Sequence, residues 1–350
     1  MEQNLDCASD SGPHRSDLVR QSAEFICKHA ESVSVDMTKI RELAGLLSRK
    51  IAQGDMGLDR WKKHELHPKT ADQKAVDWIF FVDTLNFSFW SEDESDQKFC
   101  VEYNGKRWTG YWALCAAVNR ALDEGIPITD PKYYEAVTDQ QLEYVFRTST
   151  HGVMPMIQER KQNLHDAAKT LISKFDGTFA TCIKKAAHSA KELLNIIVND
   201  FPSYRDESIF EGRTVYFYKR AQILVADLWA CFEGKDLLNF ADIDHLTIFP
   251  DYRVPQVLNY FKTMVYSPTL ENKLRKNYLF HYGEKEELEI RGSSVWVVEL
   301  LWKEISDIMG KDAVGSVNAI VLDHYLWDYR QAHNDDMKDV PFHKIRCIYY

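Results

Sequence analysis

The sequence predicts a mainly α-helical fold in a single compact domain with one small β-hairpin. Three observations carry this expectation. Apolar residues recur at helical spacing over most of the chain, strands do not alternate with helices, and no linker is long enough to divide it. With 350 residues, 45% hydrophobic and 13% aromatic, the chain has enough apolar material for a sizeable core.

The elements follow in order. Residues 1–15 are polar and are expected to form a disordered tail, so the domain is placed at 16–350. Ser16 is a candidate N-cap for a first helix whose face is Leu18, Val19, Ala23, Ile26, Cys27 and Ala30. Asp36 precedes a second amphipathic helix carrying Ile40, Leu43, Ala44, Leu47 and Ile51, which Gly54 ends. Residues 98–112, KFCVEYNGKRWTGYW, change character. Two short strand-like runs flank Asn104-Gly105, a strong hairpin signal, and place the hairpin near 99–109. A helix from Trp112 to Glu124 is stopped by Gly125 and Pro127. Further helical patterns cover 139–147, 155–174, 183–199, 213–232, 254–264, 286–309 and 316–330.

Composition narrows the function. A net charge of −10 argues against gripping a long phosphate backbone, although one local cluster suffices for a small anion. The seven cysteines are scattered, odd in number and form no C-x-x-C pair. They imply free thiols in a reducing compartment rather than a disulfide framework or a zinc site. The N-terminus has no apolar signal core and no run reaches spanning length, so a cytoplasmic protein is expected, with the nucleus left open. P-loop, G-x-S-x-G and G-x-G-x-x-G motifs are absent.

Several residues look chemical. Asp251 sits in the apolar run IFPDYRVPQVL, where a carboxylate is costly unless it caps a helix or does chemistry. Lys219 and Arg220 open the apolar helix in TVYFYKRAQILVADLW, although cations favour the other helix end. Lys219 is either a buried ammonium holding an anion or a snorkelling side chain. Asp323 and Asp328, in LDHYLWDYR, lie roughly 140° apart on an ideal helix. They are expected to border one cavity from two sides or to form ion pairs, for example with Arg330. His64 and His67, in WKKHELHP, have metal-like spacing without a third ligand nearby, which favours hydrogen bonding. The run VDTLNFSFW is either ordinary core or a wall for a flat ring.

These segments resemble the queuosine salvage protein family, the queuosine 5′-phosphate N-glycosylase/hydrolases. The matching stretches are WKKHELHP, DTLNFSFW, GYWALCAAVNRALDEGIPIT, FPSYRD, YKRAQILVADLW, FPDYRVPQVL, EIRG, LDHYLWDY and PFHKIRCIYY, spread over residues 17–350. The resemblance implies a helical fold related to helix-hairpin-helix DNA glycosylases. It also implies hydrolysis of the N-glycosidic bond of queuosine 5′-monophosphate, without a metal or organic cofactor. Residue by residue, it puts the catalytic carboxylate on Asp251 and base contacts on Phe249 and His64. The carboxylates of the D-x-Y-L-W-D motif fall on Asp323 and Asp328. His324 stands where the family often has Tyr. Related DNA glycosylases pair a lysine with the catalytic Asp, and Lys219 fits that place. Lys219, Arg220 and Arg253 are the candidates for the 5′-phosphate. A non-catalytic queuine carrier and a glycosylase acting on nucleic acid are the alternatives.

Overall fold

The computed structural model describes residues 15–91, 98–310 and 317–350. The expected tail therefore lies outside the described residues, except for Arg15, which is already helical. Ser16 falls inside that first helix, α1 (Arg15–His29), and not at its cap.

Helices dominate the architecture. After α1 come α2 (Met37–Ala52), α3 (Asp59–Lys63), α4 (Gln73–Thr84), α5 (Tyr111–Asp123), α6 (Pro131–Tyr134) and α7 (Asp139–Val145). The chain continues through α8 (Ile157–Lys174), α9 (Phe179–Lys185), α10 (Ala190–Asp200) and α11 (Lys219–Cys231). It ends with α12 (Val254–Tyr260), α13 (Pro268–Arg275), α14 (Lys285–Met309) and α15 (Ala319–Ala332).

The longest helix, α14, is the hub and packs on α1, α2, α12 and α15. Gly292 explains how closely α1 approaches it. A Cβ there would lie 2.6 Å from the Ile26 side chain, so only glycine lets the two backbones come together. Helices α4 and α11 pack against each other, and almost every residue of α11 is buried. Apolar surface all round a helix is the pattern of a central helix, not a surface one.

The hairpin at Asn104-Gly105 forms as expected. β2 (Cys100–Tyr103) pairs antiparallel with β3 (Lys106–Thr109), with positive φ at both turn residues. It is not the sole sheet. β1 (Val33–Val35) pairs with β6 (Met264–Tyr266), β4 (Glu207–Phe210) with β5 (Arg213–Tyr216), and β7 (Leu279–Phe280) with β8 (Lys344–Ile345). Two expected helices change accordingly. The pattern over 213–232 is a strand followed by α11, because Glu211 and Gly212 take positive φ and turn the chain. The pattern over 183–199 breaks at Ala187 and His188, both at positive φ, and Ser189 caps α10 afresh. The helix expected over 254–264 ends at Tyr260, and residue 264 instead begins β6.

Candidate active site

The segment after α4 builds the floor of the site. Its backbone runs from Leu85 to Trp90 outside any helix or strand, yet it is buried. Buried carbonyls need donors. Two arginines supply them: Arg160 donates to the carbonyls of Leu85 and Phe87, and Arg220 to those of Asp83 and Thr84 at 3.2 and 2.8 Å. Arg220 is 1% exposed and also donates to the Ser203 carbonyl. It is a structural clamp, which removes it from the phosphate candidates.

Above this floor opens a cleft of about 1080 Å³. One wall is α11, which presents Lys219, Ile223 and Asp227 at spacings of four. A second wall is α15, with Asp323, His324, Trp327 and Asp328. The loop Phe249–Arg253 closes the inner end, and Arg60, Trp61, His64 and Trp112 shape the rim.

Asp251 answers both readings of its sequence. Its Oδ1 accepts from the backbone N–H groups of Arg253 at 2.7 Å and Val254 at 3.0 Å, at the start of α12. That cap fixes the carboxylate and leaves Oδ2 for a ligand. Lys219 is 5% exposed and its ammonium reaches the Asn86 carbonyl at 3.4 Å. Burial pushes its pKa down, while Asp251, Asp83 and Asp323 oppose that shift.

A buried ion-pair network sets the positions of these two residues. Arg291 of α14 pairs with Asp206 at 3.0 Å and with Glu287 at 3.4 Å. Its Nε donates to the carbonyl of Pro250, one residue before Asp251, at 3.0 Å. Asp206 in turn accepts from the backbone N–H of Lys219 at 3.1 Å. One guanidinium thus ties together the backbones on both sides of the inner cleft.

The other predicted residues also line the cleft. Asp323 is 4% exposed, and its Oδ1 accepts from the Phe249 N–H at 3.0 Å. Burial pushes its pKa well up. The rings of Phe249 and His324 lie 5.9 Å apart, and burial pushes His324 down to about 4, so the imidazole is neutral near pH 7. His64 stacks on Trp112 at 3.4 Å and is likewise pushed down to about 4 by burial. Asp328 pairs at the rim with Arg60 at 3.2 Å, and the Arg330 Nε donates to Gln256. Arg253 keeps its guanidinium over the Phe342 ring at 4.2 Å and lines the cleft.

Comparison with known proteins decides what this arrangement belongs to. The family described as Queuosine salvage protein matches residues 66–350. The chain belongs to the queuosine salvage protein family. Among family members, a protein of Bos taurus named queuosine 5′-phosphate N-glycosylase/hydrolase is 48% identical over 95% of this chain and 98% of its own length. A protein of the same name in Schizosaccharomyces pombe is 40% identical over 95% of this chain and 99% of its own. One in Sphaerobacter thermophilus is 34% identical over 93% of this chain and 95% of its own.

In this queuosine salvage family member the structure brings His64, Lys219, Phe249, Asp251, Asp323, His324 and Asp328 to one cleft. Sequence reading missed Asp227, Asp206 and Arg291. Asp227 carried a usable signal, since it stands eight residues after Lys219 on the same helical stripe. Asp206 and Arg291 carried none, because an ion pair between residues 85 apart in sequence leaves no local pattern. His67 also lines the cleft, but both its ring nitrogens are engaged within the protein. Its Nδ1 contacts the Trp61 carbonyl at 2.8 Å and its Nε2 the Tyr111 hydroxyl at 3.0 Å. No group of three or more His, Cys, Asp or Glu among the described residues is arranged to hold a metal ion.

Proposed function

We propose that the chain hydrolyses the N-glycosidic bond of queuosine 5′-monophosphate, releasing queuine for reuse in tRNA and ribose 5-phosphate. The observation that carries this reading is Asp251, capped through Oδ1 at the inner end of an aromatic cleft with buried Lys219 nearby. Breaking a ribosyl C–N bond builds positive charge on C1′ and the ring oxygen. A fixed carboxylate under that face stabilises the cation and takes a proton from the attacking water. Its orientation is set in advance by two N–H groups, so little reorganisation accompanies the reaction.

The base lies between Phe249, His324 and the α15 carboxylates. Asp323 reads the guanine-like edge from the depth of the cleft, and Asp328 reads the amine-bearing side arm at the rim. Arg253, two residues from Asp251 and at the cleft edge, takes the 5′-phosphate. Six described cysteines are free, in keeping with a reducing, cytoplasmic setting. The net charge of −10 favours a mononucleotide over a polymer substrate.

The test is chromatographic detection of free queuine after incubation with queuosine 5′-monophosphate, with GMP as control. The wild type is expected to release queuine and spare GMP. Asp251→Ala is expected to lose on the order of 10²–10³ in rate. Tight binding of queuine without release would convert the reading to a carrier.

A further inference from the structure

Asp227 is a cleft carboxylate to which the proposed reaction gives no task. It sits eight residues beyond Lys219 on the cleft-facing stripe of α11, about 12 Å further along the helix axis. That distance separates it from the sugar end. Its Oδ1 lies 3.9 Å from His324 Nε2, the Phe249 ring is 5.9 Å from the His324 ring, and all three residues line the cleft. Asp227 therefore borders the space where the flat base is placed.

We propose that Asp227 is the general acid for the departing base. The inference rests on the glycosidase reading. When the C1′–N9 bond breaks, its electron pair flows into the base. An ordinary purine accepts a proton at nitrogen 7, but a 7-deazaguanine has carbon there. The acceptors that remain on its six-membered half are the exocyclic O6 and the ring nitrogen N3. The Asp227 carboxyl gives its proton to one of these. Water adds its oxygen to C1′, and its released proton goes to Asp251. One proton is given and one is taken, and exchange through solvent returns both carboxyls to their starting states.

The surroundings of Asp227 suit a carboxyl that holds its proton. It is 6% exposed, and burial is the main cause that raises its pKa. The neighbouring Asp83 of α4 raises it further, is itself pushed up to about 7 by burial, and has an Oδ2 without a hydrogen-bond partner among the described residues. Asp323 of α15 also raises it, and His324 beside it is neutral near pH 7. From α5 the neighbouring groups are Tyr111 and Cys115, both raised by burial. Lys219 and a hydrogen bond from Trp61 act in the opposite direction.

The test measures kcat and KM for queuine release from queuosine 5′-monophosphate between pH 5 and 10. The wild type is expected to lose kcat at alkaline pH as the acid deprotonates. Asp227→Asn is expected to lower kcat by on the order of 10²–10⁴, leave KM within a few-fold, and abolish the alkaline limb. An Asn variant with kcat within about tenfold of wild type, or with the alkaline limb intact, overturns the assignment. Should that variant fail to fold, a wild-type profile flat to pH 10 overturns it alone. A wild type that releases no queuine at any pH refutes the glycosidase reading itself, and an active wild type with an equally active Asn variant refutes only Asp227.

Discussion

The inner end and the rim of the cleft hold their charges by different means. At the inner end, Arg291, Asp206 and Glu287 are fully buried, and their pairing fixes the backbone beside Asp251 and at Lys219. At the rim, Arg60 and Asp328 form a pair whose side chains are 46% and 40% exposed. Water screens the rim pair, so its geometry is adjustable. The inner network has no such relief, because losing one partner strands a charge away from water. The difference suits a site whose reacting groups must be preorganised while its entrance adapts to a substituent on the base.

The largest test of this contrast is Arg291→Met. The substitution removes a buried cation from beside Asp206 and Glu287 and is expected to cost about 3–5 kcal/mol of stability. Urea denaturation measures it directly. A loss below about 1 kcal/mol, the range of an exposed pair, would erase the distinction between the two ends. In a variant that still folds, queuine release should fall, because the Pro250 carbonyl loses its donor and Asp206, which holds the Lys219 N–H, loses the cation that positions it.

A second, smaller test lies between the two ends, at His67. Its neutral ring bridges Trp61 and Tyr111, and burial pushes its pKa from 6.5 down to about 3. In the unfolded chain the imidazole takes up a proton below about pH 6.5. The folded chain does not follow until about pH 3. Between those values the unfolded state binds more protons, so stability falls as pH is lowered. From pH 6.5 to 5 this group contributes a loss of up to about 2 kcal/mol. His67→Gln should flatten the acid side of the stability curve by that amount in denaturation series at fixed pH. An unchanged slope would mean that burial does not hold His67 neutral.

The charged residues that line the cleft were easier to foresee from sequence than the network behind its inner end. Asp251, Lys219, Asp323 and Asp328 stood out because charged residues in apolar or aromatic runs violate local pattern. Both readings of Asp251 were open, and the structure makes it a cap whose second oxygen remains for a ligand. Helix existence was legible in the apolar periodicity. The β4–β5 hairpin was not, because its strands are short and its turn uses Glu211 at positive φ. Arg220 misled, since its sequence position beside Lys219 says nothing of the carbonyls it serves across the fold. Asp206 and Arg291 are joined only by tertiary packing, which no window of sequence contains.

The smallest effect is expected from Arg60→Ala at the rim. The lost pair is half exposed, so stability should change by less than about 1 kcal/mol. Asp328 should nevertheless feel it. Burial raises its pKa and Arg60 opposes that shift, so the variant leaves the carboxyl more readily protonated and less firmly oriented. If Asp328 reads the amine of the side arm, KM for queuosine 5′-monophosphate should rise up to roughly fivefold, the equivalent of about 1 kcal/mol. The value of kcat should hold, because the bond that breaks lies at the other end of the base. A fall in kcat with unchanged KM would show instead that the rim charge reaches the chemistry, and the two ends would then have to be treated as one electrostatic unit.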